Sequence, residues 1–278
     1  MKKGRKKNSK TKYYIISAVL VVIYLLPIYV MLNQSFRFYT DLSPRLYLPE
    51  EWTLSNYIET FASSELFHAF KNTIIYVVEV SVLEIVFGSL AAYGLARAGG
   101  RISRGLRTLN ITIMMLPPLS LLVGTYSLMV KLNMINKIWA LSLQTAAMGM
   151  ASTMFFYTSF IVSIPKELDE SAALEGAGTI RTFFQIILPQ LKAVTVTRLV
   201  MVVVGTWNNY SMPVYLLTSI EKSTVVLVIR KAFSVAAGAV QNVPLACAKC
   251  VIGLLPVIAL YLILQRFIIE GQLDSVSK

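Results

Sequence analysis

Six apolar stretches constrain this chain more than any other feature. They lie near Tyr13–Leu32, Thr73–Ala96, Leu109–Val130, Ile138–Ile161, Val194–Leu217 and Ala246–Phe267. About 20 helical residues cross a hydrocarbon core roughly 30 Å thick, so each stretch is long enough to span it. The expectation is an all-α, polytopic membrane protein with six transmembrane helices. Composition agrees: 56% of the 278 residues are hydrophobic and 14% are charged, whereas soluble domains carry about a quarter charged residues. Pro27, Pro117-Pro118, Pro213 and Pro256 fall in or near the spans. Neighbouring helices can satisfy the carbonyls that such kinks free.

Charge placement sets the topology. The chain carries 26 Lys and Arg against 14 Asp and Glu, with a pI near 9.7. Basic residues cluster beside the apolar stretches and form no aromatic-interleaved stripe, which argues against a nucleic-acid partner. With both termini cytoplasmic, 17 of the 26 basic residues fall on the inner side and 8 on the outer. Arg198 is counted inside and Lys249 lies within a span. The bias is strongest in the tail from Lys2 to Lys12 and in the short loop from Arg97 to Arg107, where this rule works best. The first apolar run is too long for a secretory h-region and lacks a small-residue cleavage site, so it reads as an uncleaved span.

Little else offers chemistry. Cys247 and Cys250 form a C-x-x-C inside an apolar run, without the strand–helix setting of a redox motif. His68 is the single histidine, which leaves no metal site and no His-based catalytic group. No G-x-x-x-x-G-K-[ST] phosphate loop is present, so the sequence offers neither an ATP-hydrolysing site nor a cofactor-binding motif of its own. The outer segments Asn33–Phe70 and Thr218–Leu245 are long, as interaction segments often are. In the first, Thr53 or Ser55 is placed to cap a helix whose apolar side is Tyr57, Ile58, Phe61, Leu66 and Phe67.

One polar segment lies between the fourth and fifth spans, on the cytoplasmic side. Pro165 opens a short helix, where its missing N–H costs nothing. Glu167, Asp169 and Glu170 suit the positive end of its dipole. Ala172, Ala173, Gly176 and Ala177 leave a face with almost no side chain, which permits close approach of another backbone. Gly178 then allows a turn into a second helix with Ile180, Phe183, Phe184 and Ile187 on its apolar side.

This segment resembles the Glu-Ala-Ala loop of permease subunits of ATP-binding-cassette importers. The matching positions are Glu170, Ser171, Ala172, Gly176, Ile186, Leu188 and Pro189, with Ser171 standing where Ala is usual. Other stretches resemble the carbohydrate, maltose-type branch of binding-protein-dependent transport system inner membrane components. They are Leu54-Ser55-Asn56-Tyr57, Phe70-Lys71-Asn72-Thr73, Ala91 to Arg97, Trp207 to Pro213, and Gln265 to Gly271. The tail after Gly271 departs from the family pattern. The resemblance implies a type I ABC importer permease fold in a bacterial plasma membrane, with a sugar as solute. It also implies three kinds of partner: a second homologous permease subunit, two ATPase subunits, and an external solute-binding protein. On this reading residues 1–12 are a basic cytoplasmic tail, and 13–68 hold the first span and its external segment. Residues 69–271 form the permease core, with the coupling loop at 165–189, and 272–278 are a second tail.

Polar residues within the spans remain ambiguous on sequence alone. Glu79, Glu84 and Lys249 each cost on the order of 2.5–3.5 kcal/mol if left unpaired at mid-bilayer. Glu79 and Lys249 form a plausible interhelical pair. Trp207, Asn208, Asn209 and Tyr210 offer amides and aromatic faces suited to a sugar path, or to holding helices together. A proton-coupled secondary transporter is the alternative that explains buried carboxylates, but it gives the Glu170–Pro189 pattern no purpose. The same permease type carrying a non-sugar solute is the other.

Overall fold

The computed structural model describes residues 4–234 and 241–276, with side-chain surroundings for 12–234 and 241–263. Helices and the loops between them make up the described residues, with no strand among them. Contacts divide the chain into two units: residues up to Leu66 with Val228–Leu255, and Phe67–Leu227 with the residues from Pro256.

In the first unit, α1 (Gly4–Ser35) runs unbroken through Pro27. Its C-terminal end leads into a compact knot. Arg37 is fully buried, and donates to Asp41 (3.3 Å), to the Ser43 hydroxyl (2.6 Å) and to the carbonyls of Pro44 and Tyr47. The Ser43 hydroxyl and amide hold the Asp41 carboxyl below the usual carboxylate range. Next comes α2 (Ser55–Ala62), whose N-cap residue is Leu54 and has no side-chain cap; the Thr53 hydroxyl, one position earlier, accepts from the Ser55 amide at 3.0 Å, a looser form of the expected capping.

The orientation of α2 departs in part from the sequence expectation. Leu66 is buried and Tyr57 half-buried as expected, but Asn56 and Thr60 are buried while Ile58, Phe61 and Phe67 are exposed. The reason is hydrogen bonding: Asn56 Nδ2 donates to the carbonyls of Ser35 (3.0 Å) and Arg37 (2.8 Å), at and just beyond the end of α1. A helix end leaves carbonyls without intrahelical partners, and here an amide outcompetes apolar burial for the inward face.

The next helix is α3 (Ser64–Arg97). The expected third span is broken instead of continuous: α4 (Gly100–Met114) and α5 (Leu122–Lys131) meet through a 3-10 turn at Pro118–Leu121, bent by 93°. Two adjacent prolines remove two donors and force extended backbone at Pro117, where ψ is 126°. The fourth stretch is one 24-residue helix, α6 (Ile138–Ile161).

The segment between α6 and the next long helix comprises α7 (Glu167–Leu174), α8 (Thr179–Thr182), a π turn at Phe183–Ile187 and α9 (Leu188–Gln190). An 85° bend leads into α10 (Lys192–Trp207). The expected fifth span therefore stops at Asn208 instead of continuing to Leu217. Beyond the break lie α11 (Pro213–Leu216), α12 (Val225–Ala232) and α13 (Val243–Val276), the last continuous through Pro256.

In the second unit, the Asn72 amide donates to the carbonyls of Glu221 (2.7 Å) and Ser223 (3.1 Å). The Thr73 hydroxyl accepts from the Val225 amide at 2.9 Å. The Asn-Thr pair after Phe70-Lys71 thus pins the loop that follows α11. Part of the long outer segment, 235–240, lies outside the described residues. So do the tails 1–3 and 277–278 and the side chains of Gln265 to Gly271.

Candidate functional site

The segment between α6 and α10 is built around a left-handed stop. Gly176 has φ +81°, the Ala177 amide donates to the Ala172 carbonyl (2.9 Å), and the Gly176 amide donates to Ala173 (3.0 Å). These two bonds are the Schellman arrangement that ends α7. A Cβ built on Gly176 would meet nothing within 4 Å. Backbone conformation is therefore what this chain itself requires of Gly176.

The segment is clamped to membrane helices by residues that the sequence reading passed over. Asp169 lies 2.8 Å from Arg97 Nη2 and accepts from the Tyr93 hydroxyl. Arg97 Nη1 also donates to the carbonyls of Ile161 (3.3 Å) and Ile164 (2.9 Å), at and just past the end of α6. One guanidinium thus joins the ends of α3 and α6 to α7. Beneath it Phe183, Ile187 and Leu191 pack with Ala92, Tyr93, Ala96, Tyr157 and Ile161. Of the expected apolar side, Phe183 and Ile187 are fully buried, whereas Ile180 and Phe184 are exposed.

Ala172 is 3% exposed and turned into its own chain, not outward as the sequence reading held. A small side chain at this position lets α7 lie close to the helix that follows. The open face of α7 carries Glu167, Glu170, Ser171 and Leu174, spaced at three and four residues. Ile186 and Leu188 are half-buried, and Pro189 is exposed.

Within the membrane part of the second unit lies a cavity of about 500 Å³. Its polar lining includes Gln144, Thr145, Thr206, Asn209 and Ser211, with Glu84 and Arg198 as its charged members. Asn209 Nδ2 donates to the Tyr76 hydroxyl (2.9 Å), which bonds Thr145 Oγ1 (2.7 Å). Gln144 is buried, and its Nε2 has no hydrogen-bond partner among the described residues. Of the four residues expected on a solute path, Asn209 alone lines this cavity. Trp207 is buried against Phe70, with ring centroids 6.2 Å apart. Asn208 bonds back to the Val204 carbonyl at 2.9 Å, and Tyr210 is 37% exposed.

The charged residues sort differently from expectation. Lys249 lies 3.8 Å from Glu65, which also meets Lys231 at 3.2 Å. The expected Glu79–Lys249 pair would join the two units; within the first unit the partner of Lys249 is Glu65. In the second unit Glu79 lines a polar cavity of about 600 Å³ with Lys71, Asn136 and Lys137. Arg198, counted as a cytoplasmic charge, lies inside α10 and pairs with Glu84 at 2.9 Å.

The model of the binding-protein-dependent transport system inner membrane component family matches residues 84–271. The chain belongs to this family. It is 34% identical to the melibiose/raffinose/stachyose import permease protein MelC of Bacillus subtilis (strain 168), over 92% of each chain. It is 28% identical to the probable starch degradation products transport system permease protein AmyC of Thermoanaerobacterium thermosulfurigenes, over 94% of each. The fold matches a chain of a bacterial ABC transporter involved in the import of the acidic polysaccharide alginate. There the TM-score is 0.82 at 18% identity, over 96% of this chain and 98% of that one. As a member of this family the chain is a membrane-spanning permease component, and its all-α permease fold is the one expected from the sequence.

Proposed function

We propose that this chain is one permease half of an ATP-driven importer that brings a sugar or oligosaccharide through a bacterial plasma membrane. Both termini lie in the cytoplasm, and the chain itself binds no cofactor. Two separate ATPase subunits supply the energy, a second homologous permease completes the pathway, and an external binding protein delivers the solute. The observation that carries this reading is the clamp of Arg97 and Tyr93 on Asp169. It ties a short helix with an open, acidic face to the ends of two membrane helices. That same segment bends directly into α10, which walls the cavity.

The face offered to an ATPase is Glu167, Glu170, Ser171 and Leu174, with Leu174 91% exposed. The Gly176 stop holds the end of that face in a fixed direction. The sugar assignment is supported by the names of MelC and AmyC and by the hydroxyl- and amide-rich cavity around Asn209, Thr145 and Gln144.

Uptake in sealed vesicles tests the reading. Import should need ATP and survive collapse of the proton gradient. Uptake that stops with the gradient would favour proton coupling through the membrane carboxylates instead. A crosslinker placed at Leu174 should capture an ATPase subunit, and persistent failure there would remove the coupling role of α7.

A further inference from the structure

One ionic cluster beside the cavity is built more tightly than charge pairing requires. Glu84 Oε2 lies 2.9 Å from Arg198 Nη2 and accepts from Thr153 Oγ1 at 2.6 Å. Arg198 Nε donates to the same hydroxyl at 2.9 Å. The three residues come from α3, α6 and α10, and each pair of helices is joined by one of these bonds. Glycines set the fit. A Cβ on Gly149 would come within 2.0 Å of Glu84 Oε1, and one on Gly88 within 2.6 Å of the Thr153 methyl. Glu84, Gly149 and Arg198 also line the cavity, so the cluster is part of its wall.

Stability alone gives little reason for such a cluster, because a buried ion pair is often no better than apolar residues of similar volume. Its position gives a better reason. Arg198 stands six residues past the start of α10, roughly 9 Å along the axis. The start of α10 adjoins the 85° bend that leaves the coupling segment. Any displacement of that segment that pivots α10 must therefore pull Arg198 from Glu84 and Thr153. Directional polar bonds in a low-dielectric setting are made or broken, whereas apolar contacts slide. Packed helices joined this way have two discrete arrangements in place of a continuum.

We propose that Glu84, Thr153 and Arg198 are positioning residues forming an intramembrane latch. Closed, it holds α10 against α3 and α6. Opened by the stroke of the coupling segment, it alters the cavity wall and hence the hold on the solute. The latch rests on the importer reading above and adds to it the point at which movement reaches the cavity.

The test uses the complete importer in lipid discs and proteoliposomes. Wild type is compared with the double variant Glu84→Met/Arg198→Met and with Arg198→Lys. The double variant should assemble and melt at or above the wild-type temperature. Its uptake should fall about tenfold, within the usual range of coupling between sites. Its ATP hydrolysis should no longer rise when solute-loaded binding protein is added. Arg198→Lys keeps the charge but loses the planar fork, and should retain part of that response. A double variant with wild-type uptake and wild-type stimulation overturns the latch. Should the double variant not assemble, Arg198→Lys and Thr153→Val decide the matter, and unchanged stimulation in both overturns it. Absence of ATP-dependent uptake in the wild-type complex overturns the importer reading itself, and the latch with it.

Discussion

Two ion pairs of the second unit, one with both partners partly exposed and one with its carboxylate buried, have nearly the same length and opposite surroundings. Arg97–Asp169, at 2.8 Å, sits where helices end, and its guanidinium also caps carbonyls at and just past the end of α6. Glu84–Arg198, at 2.9 Å, sits between helix interiors, with glycines on either side and a cavity in front. The first pair also satisfies the Ile164 carbonyl and adds a second bond to the Ile161 carbonyl, which already accepts from the Ile164 amide, so it is anchored to the fold. The second satisfies only itself and one hydroxyl, so it can open without stranding backbone polar groups. A rigid clamp below and a breakable contact above is what a lever requires.

Several substitutions break or sharpen that contrast. Arg97→Met should be the most damaging, since it leaves Asp169 and the Ile164 carbonyl without their guanidinium partner, at a cost below the roughly 3–5 kcal/mol of a fully buried pair. Unfolding in detergent should register a larger loss for Arg97→Met than for Arg198→Met. Equal losses would erase the distinction. Gly149→Ala should cost about 1–3 kcal/mol by overpacking against the Glu84 carboxylate, and a double-mutant cycle with Glu84→Ala should recover most of it. Gly176→Ala should cost about 1–2 kcal/mol because an L-residue is strained in the left-handed region. Gly178→Ala, at φ −74° in open space, should be nearly silent, and the pair of melting curves checks both. Thr53→Ala should have the smallest effect, at most about 1 kcal/mol for a lost cap, and none on coupled ATP hydrolysis.

Much of the segment between α6 and α10 was legible in the sequence because its signals are local. Proline at the start, acidic residues in the first turns and glycine at the end together mark a short helix wherever it lies. The role of each small residue was less legible. Ala172 read as an outward contact surface, yet only packing could show that it faces its own chain. Gly176 read as room for a partner, and its positive φ assigns it to the helix stop.

Inside the membrane the sequence said less. Apolar length located α1, α3, α6 and α13, but not the breaks at Pro117 or after Trp207. Hydropathy averages over twenty residues, whereas a break depends on two. Arg198 was hidden for a similar reason: a lone basic residue near a span end counts as cytoplasmic until its partner is known. Its carboxylate lies 114 residues away in the chain.

By itself, the sequence determined the all-helical class, the membrane setting and the family, because apolar run length and short-range motifs need no knowledge of what lies opposite. Only the tertiary structure decided which charges meet, which face of α2 turns inward and where the cavity opens. Pairing and burial depend on residues far apart in the chain, and no local pattern encodes the distance between two helices.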